Sequence, residues 1–192
     1  MNFCCVRVGD KYGDEYVTKL QAGVSRHLPS HQGHVFTCFT DRSITGVLCE
    51  QLPENLPGWW AKLGLFKLKQ PLIYFDLDVV ITGDLTPLLE WDGFGIIKDW
   101  WQPCFNSSVM KLTGEEGEVW DDFTPDVMKR LHGDQDWITE VMPFGATFPR
   151  EWFRSYKADF CEEQVPAGTI ACVFHGLPKP HQCGGWVRKQ WV

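Results

Sequence analysis

The first 80 residues alternate between two hydrophobic periodicities. "FCCVRV" (3–8) is an apolar run closed by Gly9-Asp10, which predicts a strand and a turn. In "DEYVTKLQAGVSRHL" (14–28), Tyr16, Val17, Leu20, Val24 and Leu28 recur at helical spacing. "HVFTCF" (34–39) predicts a second strand, and "LPGWWAKLGLFKL" (56–68) a helix opening on Pro-Gly. "PLIYFDLDVV" (71–80) predicts a third strand. Strand, helix, strand, helix, strand is the pattern of an α/β fold: a Rossmann-type, mainly parallel central sheet flanked by helices.

The second half is less regular. "GFGII" (93–97) and "PCFNSSVMKL" (103–112) read as strands, and 114–133 as two helical pieces. "DQDWITEV" (134–141) reads as a short helix capped by Asp134, and "TIACVFHGLPKP" (169–180) as a late strand running into a Pro/Gly loop. There is no repeat, low-complexity segment or linker, so 1–192 is expected to form a single domain.

Two polar residues disturb the strongest strand. Asp76 and Asp78 interrupt "YFDLDVV", and unpaired carboxylates in a core strand are costly. Side chains two apart on a strand share a face, so the pair is expected to flank one site while Leu77 points away. Paired carboxylates at a strand mouth suit a hard cation such as Mn²⁺ or Mg²⁺, which can neutralise a diphosphate. A turn or helix-capping acid pair is the plainer alternative. In parallel sheets ligands gather beyond the carboxyl ends of strands, and Tyr12, Asp76, Asp78 and His175 each end or follow a predicted strand.

Charge narrows the partners. The net charge is −7 and no Lys/Arg run stands out, so nucleic-acid binding through phosphates is not expected. A chain this acidic that handled a phosphorylated ligand would need local neutralisation, which a metal supplies. The start is too quickly charged for a signal peptide, and no apolar run approaches the roughly 20 residues of a membrane span. Eight cysteines include no C-x-x-C pair, and Cys4, Cys38, Cys104 and Cys172 sit in apolar runs as small buried hydrophobes. Reduced thiols and a cytoplasmic location are the expectation. Among ten tryptophans, core packing is expected for Trp59, Trp100, Trp101 and Trp152, with an acceptor platform as the alternative. His27, His31, His34 and His132 lie in polar, loop-like contexts and are assigned no role.

"YFDLDVVITGDLTPLL" resembles the D-x-D segment of nucleotide-sugar glycosyltransferases with the GT-A fold. It is most similar to glycosyltransferase family eight, which includes glycogenin and bacterial lipopolysaccharide galactosyltransferases. Further segments resemble that family's motifs in order across roughly residues 3–181. "VGDKY" resembles the first-strand turn, which implies Tyr12 on uracil and Asp10 beside the donor. "WWAKLGLF" implies a donor-contacting Lys62, and "FNSSVM" an Asn106 facing the donor sugar. "GDQDWI" implies Asp134 and Gln135 beside the reacting carbon. "VFHGLPKP" implies Gly176 and a phosphate-contacting Lys179, with His175 joining Asp76 and Asp78 as metal ligands.

The last motif departs from the family pattern H-x-x-G-x-x-K-P-W. Val173 stands three before Gly176, His175 directly precedes it, and His181 replaces the tryptophan. A shifted histidine points its imidazole elsewhere. The resemblance implies transfer from a UDP-sugar to a carbohydrate, lipid or protein acceptor, with Mn²⁺ or Mg²⁺ and with retention. Two other readings remain at this point. "FDLDVV" also fits the first motif of haloacid-dehalogenase-type phosphatases, although that motif normally lies on the first strand. A non-catalytic nucleotide-sugar-binding protein is the other.

Overall fold

A computed structural model describes residues 1–28 and 34–192; His31 lies outside the described residues. The strands are β1 (Asn2–Arg7), β2 (Val35–Thr40), β3 (Leu48–Glu50), β4 (Leu72–Phe75), β5 (Val79–Ile81), β6 (Gly95–Lys98), β7 (Phe105–Leu112), β8 (Phe153–Ser155) and β9 (Ala171–Val173). The helices are α1 (Asp14–Arg26), α2 (Gly64–Lys67), α3 (Thr86–Glu90), α4 (Glu118–Asp121), α5 (Pro125–Arg130), α6 (Asp134–Val141) and α7 (Gly185–Gln190).

Helix α1 forms where the periodicity places it. Asp14 and Glu15 occupy its first turn and Arg26 its last, each complementing the helix dipole. Tyr16, Val17, Leu20 and Val24 are buried, and the helix packs against the sheet. The predicted helix over 56–68 is instead a 3₁₀ segment, Gly58–Leu63, followed by the single turn of α2. Gly58 enters it with φ +57°, a conformation that favours glycine.

Six strands form the main sheet in the order β3-β2-β1-β4-β7-β6. β1, β2, β3 and β4 run parallel, whereas β7 is antiparallel to both β4 and β6. This topology positions the site. The carboxyl ends of β1 and β4 meet the amino end of β7, so Asn106, Ser107 and Ser108 arrive where Arg7 and Asp76 leave. Asp76 donates its backbone N–H to the Ser108 carbonyl at 2.8 Å. Between Ile96–Met110 and Ile97–Asn106 the β6–β7 register slips, leaving Ser107–Val109 as a bulge. Bulges of this kind re-aim side chains beside sites.

The predicted strand over 71–80 breaks in two. β4 belongs to the main sheet, but β5 belongs to a second, three-stranded sheet, β5-β9-β8. Asp76, Leu77 and Asp78 form the crossing turn, closed by a Val79 N–H to Asp76 carbonyl bond at 3.2 Å. The same-face argument for the carboxylates therefore does not apply: a turn, not a pleat, presents them. Leu77 is 5% exposed and packs in the core. The late strand is also shorter than predicted, covering Ala171–Val173.

Cys4, Cys38 and Cys172 are buried, but Cys104, in the loop before β7, is only partly so. Among the described residues all eight cysteines are free thiols. No helix among the described residues is long and apolar enough to cross a membrane.

Candidate active site

A cleft of about 650 Å³ opens at the carboxyl ends of β1 and β4. Ten residues singled out by sequence line it: Tyr12, Lys62, Asp76, Asp78, Asn106, Asp134, Gln135, His175, Gly176 and Lys179. Asp10 does not. Its side chain is 89% exposed and pairs with Arg42 at 3.2 Å, outside the lining.

The two carboxylates are not left to repel each other; each holds its own lysine. Lys62, 6% exposed, reaches Asp76 Oδ1 at 2.8 Å and lies 3.5 Å from Asp134 Oδ2. Tyr74 donates its hydroxyl proton to Asp76 Oδ1 at 2.5 Å, and Ser107 donates to Asp134 Oδ2 at 2.5 Å. Lys179 donates to Asp78 Oδ2, to which Tyr12 also donates at 2.8 Å. Lys179 is further fixed by the Phe174 carbonyl at 2.9 Å.

These contacts set the protonation states. Burial works against charge on Lys62, yet the Asp134 and Asp76 carboxylates outweigh it and keep the ammonium well charged. Burial likewise raises the Asp76 pKa, but Lys62 and Tyr74 overcome this and hold it below the usual range. Asp134 has the more distant lysine contact, and there burial prevails, raising its pKa. Burial, followed by the neighbouring Asp78, makes the Tyr12 hydroxyl a poorer acid. Tyr12 therefore stays a donor to Asp78.

Asp134 does not cap α6, as the sequence suggested. Gly133 is the N-cap residue and makes no side-chain cap, which frees the Asp134 carboxylate to turn inward. Asn106 donates from Nδ2 to Asp99 Oδ2 at 3.2 Å and accepts from the Ser108 N–H at 3.1 Å. Gln135 reaches the Cys104 sulfur at 3.6 Å. His175 packs against Trp100 and Trp101, with ring centroids at 5.6 Å and 4.5 Å. Its Nε2 shares a 2.6 Å hydrogen bond with the Ser155 hydroxyl. Burial lowers its pKa, so the ring is neutral near pH 7.

Asp76, Asp78 and His175 do not come together as a ready three-ligand group, and no cluster of three or more His, Cys, Asp or Glu suited to a metal occurs among the described residues. The carboxylate pair still fits a hard divalent ion. Lys62 pairs with Asp76 and Asp134, and Lys179 pairs with Asp78, so three carboxylates share two directly bonded lysines, with Arg7 and Lys11 elsewhere in the cleft lining. Two carboxylates completed by a ligand's phosphates is a usual coordination for Mg²⁺.

Sequence reasoning passed over Tyr74, Ser107, Asp99 and Ser155. Tyr74 sits two before Asp76 in the quoted strand, and Ser107 is a polar residue inside an apolar run, so both were visible signals. Asp99 and Ser155 are joined to the site only by folding.

A mainly parallel central sheet extended by an antiparallel strand and flanked by helices is the fold this chain shares with solved GT-A glycosyltransferases. The similarity to solved structures is extensive in shape and low in sequence. The glycosyltransferase GlyE of Streptococcus pneumoniae TIGR4 aligns with a TM-score of 0.75 at 15% identity over 100% of this chain. This chain spans 60% of the GlyE structure's length. The galactosyltransferase LgtC, solved with donor and acceptor sugar analogs, aligns with a TM-score of 0.70 at 14% identity, covering 98% of this chain and 93% of LgtC. Mouse xyloside xylosyltransferase 1 aligns with a TM-score of 0.57 at 14% identity, covering 91% of this chain and 98% of the enzyme. No family model and no curated protein sequence matches the chain.

Proposed function

We propose that this protein is a metal-dependent glycosyltransferase that moves a sugar from a UDP-sugar to an acceptor, with retention of anomeric configuration. The observation that carries this reading is convergence: motifs spread over residues 3–181 contribute ten residues to one cleft. Asp76 and Asp78 would hold Mn²⁺ or Mg²⁺ together with the donor's phosphates, and any contact from His175 would use Nδ1, because Nε2 is committed to Ser155. When bound, the ion neutralises charge that develops on the departing diphosphate.

The remaining chemistry belongs to the chain. Tyr12 offers its ring to the uracil. Lys179 turns from Asp78 toward the diphosphate, and Lys62 adds positive charge beneath it, both aimed at negative charge that grows in the transition state. Asn106, Asp134 and Gln135 orient the sugar at the reacting carbon. The hydrogen bonds through Ser107 and Asp99 hold those groups still before substrate arrives.

The phosphatase alternative is disfavoured by position: its aspartate motif normally lies on the first strand, whereas Asp76 follows β4 (Leu72–Phe75). The test is thermal stabilisation by Mn²⁺ plus UDP, with UDP release from a panel of UDP-sugars. Stabilisation and UDP release in the parent, both abolished in Asp78→Asn, are expected. A normal ligand response in Asp78→Asn would sink the metal-site reading. Stabilisation without UDP release from any donor, with or without acceptor, would favour a binding protein, and phosphate release from a phosphomonoester would favour the phosphatase.

A further inference from the structure

Two adjacent tryptophans open the 3₁₀ segment after Pro57, and the fold treats them differently. Trp60 is 7% exposed and packs on Phe123 in the core. Trp59 is 49% exposed and lines the cleft. Its position is built. Gly58, with φ +57°, directs the chain into the turn that swings Trp59 outward. His132 backs it at 5.9 Å between centroids, with the planes 33° apart. Gly133 lies against its edge: a Cβ there would stand 3.4 Å from the indole nitrogen, at van der Waals contact.

The surroundings define what such a face can take. Trp59, His132 and Gly133 lie next to Asp134 and Gln135 along the cleft wall, the end assigned above to the reacting sugar. Tyr12 belongs to the other end, beside Asp78 and Lys179. A flat apolar surface in a cleft that also carries carboxylate and amide side chains matches a pyranose, whose axial C–H bonds form an apolar face and whose hydroxyls lie around its edge. Exposure alone does not single out Trp59. Phe144 and Phe160 are 97% and 82% exposed, yet neither lines the cleft.

We propose that Trp59, backed by His132, is the stacking platform for the acceptor's terminal sugar. The acceptor is then a carbohydrate end, free or carried on a lipid or protein, rather than a bare lipid alcohol or an amino-acid hydroxyl. This inference rests on the glycosyltransferase reading above.

The test uses the full chain with Mn²⁺ and UDP. Methyl β-D-galactopyranoside, methyl β-D-glucopyranoside and methyl N-acetyl-β-D-glucosaminide serve as probes, read by saturation-transfer NMR and indole fluorescence. At least one should bind. Trp59→Ala should weaken it about tenfold, the scale of one lost stacking contact, and Trp59→Phe should recover most of that. Phe160→Ala should match the parent, and a melting curve confirms that each variant is folded. If no pyranoside binds the parent, or Trp59→Ala binds as well as the parent, the platform is overturned whatever UDP does. If pyranosides bind through Trp59 but UDP with Mn²⁺ gives no stabilisation, the sugar platform stands and the donor reading falls.

Discussion

Replacing Lys62 by methionine keeps most of the side-chain volume and removes only the charge held between Asp76 and Asp134. Breaking a buried ion pair by deleting one partner costs about 3–5 kcal/mol, because the remaining charge is stranded. Two features push the estimate toward the lower end. Asp76 retains 26% exposure and its Tyr74 bond, and Asp134, whose pKa burial already raises, can take up a proton. A loss of about 3 kcal/mol, at about 2–4 °C per kcal/mol for a chain of this size, lowers Tm by roughly 6–12 °C.

The pH dependence has a definite sign. In the parent, Lys62 holds Asp76 below its usual pKa, so that stabilisation is present above the ordinary aspartate value and is lost as pH falls through the depressed one. In Lys62→Met both carboxylates titrate higher, so the variant's penalty grows as pH rises through those values. The Tm gap between parent and variant should be widest near neutrality and narrow toward about pH 4. The double variant Lys62→Met/Asp134→Asn should regain part of the loss, since the two side chains are coupled. Paired melting curves followed by circular dichroism measure all of this. A gap under about 2 °C near neutrality, or one that ignores pH, would refute the reasoning.

Trp60→Ala should cost about 3–5 kcal/mol in chemical denaturation, whereas Trp59→Ala should stay within about 0.5 kcal/mol; equal losses would contradict their different burial. Gly83→Ala would set a methyl 2.4 Å from the Thr169 carbonyl oxygen, a backbone obstacle that cannot swing aside. A loss of about 1–3 kcal/mol is expected in the same assay, and a neutral effect would count against that close approach. Burial lowers the His27 pKa, with Gln190 only partly offsetting it, so its neutral form stabilises the fold above the ordinary histidine value and that contribution is lost as pH falls through it. His27→Gln should flatten the decline in Tm between about pH 7 and pH 5, and an unchanged slope would exclude His27 as a source.

The first half of the fold was legible because its periodicities are long and clean. β1, α1 and β2 fall within a residue or two of their predicted bounds. Short elements were not. β3, β8 and the helices α3 and α7 run three to six residues, too few for a periodicity to emerge. The second sheet was invisible for a related reason: "PLIYFDLDVV" reads as one strand, and only tertiary pairing with β9 pulls Val79–Ile81 away. Ten residues named from the sequence share one cleft although the elements that carry several of them differ from those expected. Asp76 and Asp78 reach the cleft through a turn rather than a pleat. Asp134 reaches it because Gly133 took the cap. What could not be read was charge pairing. Lys62 and Lys179 lie 14 and 101 residues from their aspartates, and no local pattern links them.

The crossing at Asp76–Leu77–Asp78 has a mechanical consequence. Two separately hydrogen-bonded sheets, packed in one core, are joined along the chain there by three residues, with Leu77 buried between the carboxylates. One carboxylate is anchored by Lys62 near the large sheet, and the other by Lys179, which leans on the Phe174 carbonyl just beyond the small one. Sliding of one sheet against the other must change the bite between the carboxylates. A ligand that spans both becomes a rivet, and its grip should be felt as slower amide exchange along β8 and β9, which it never touches.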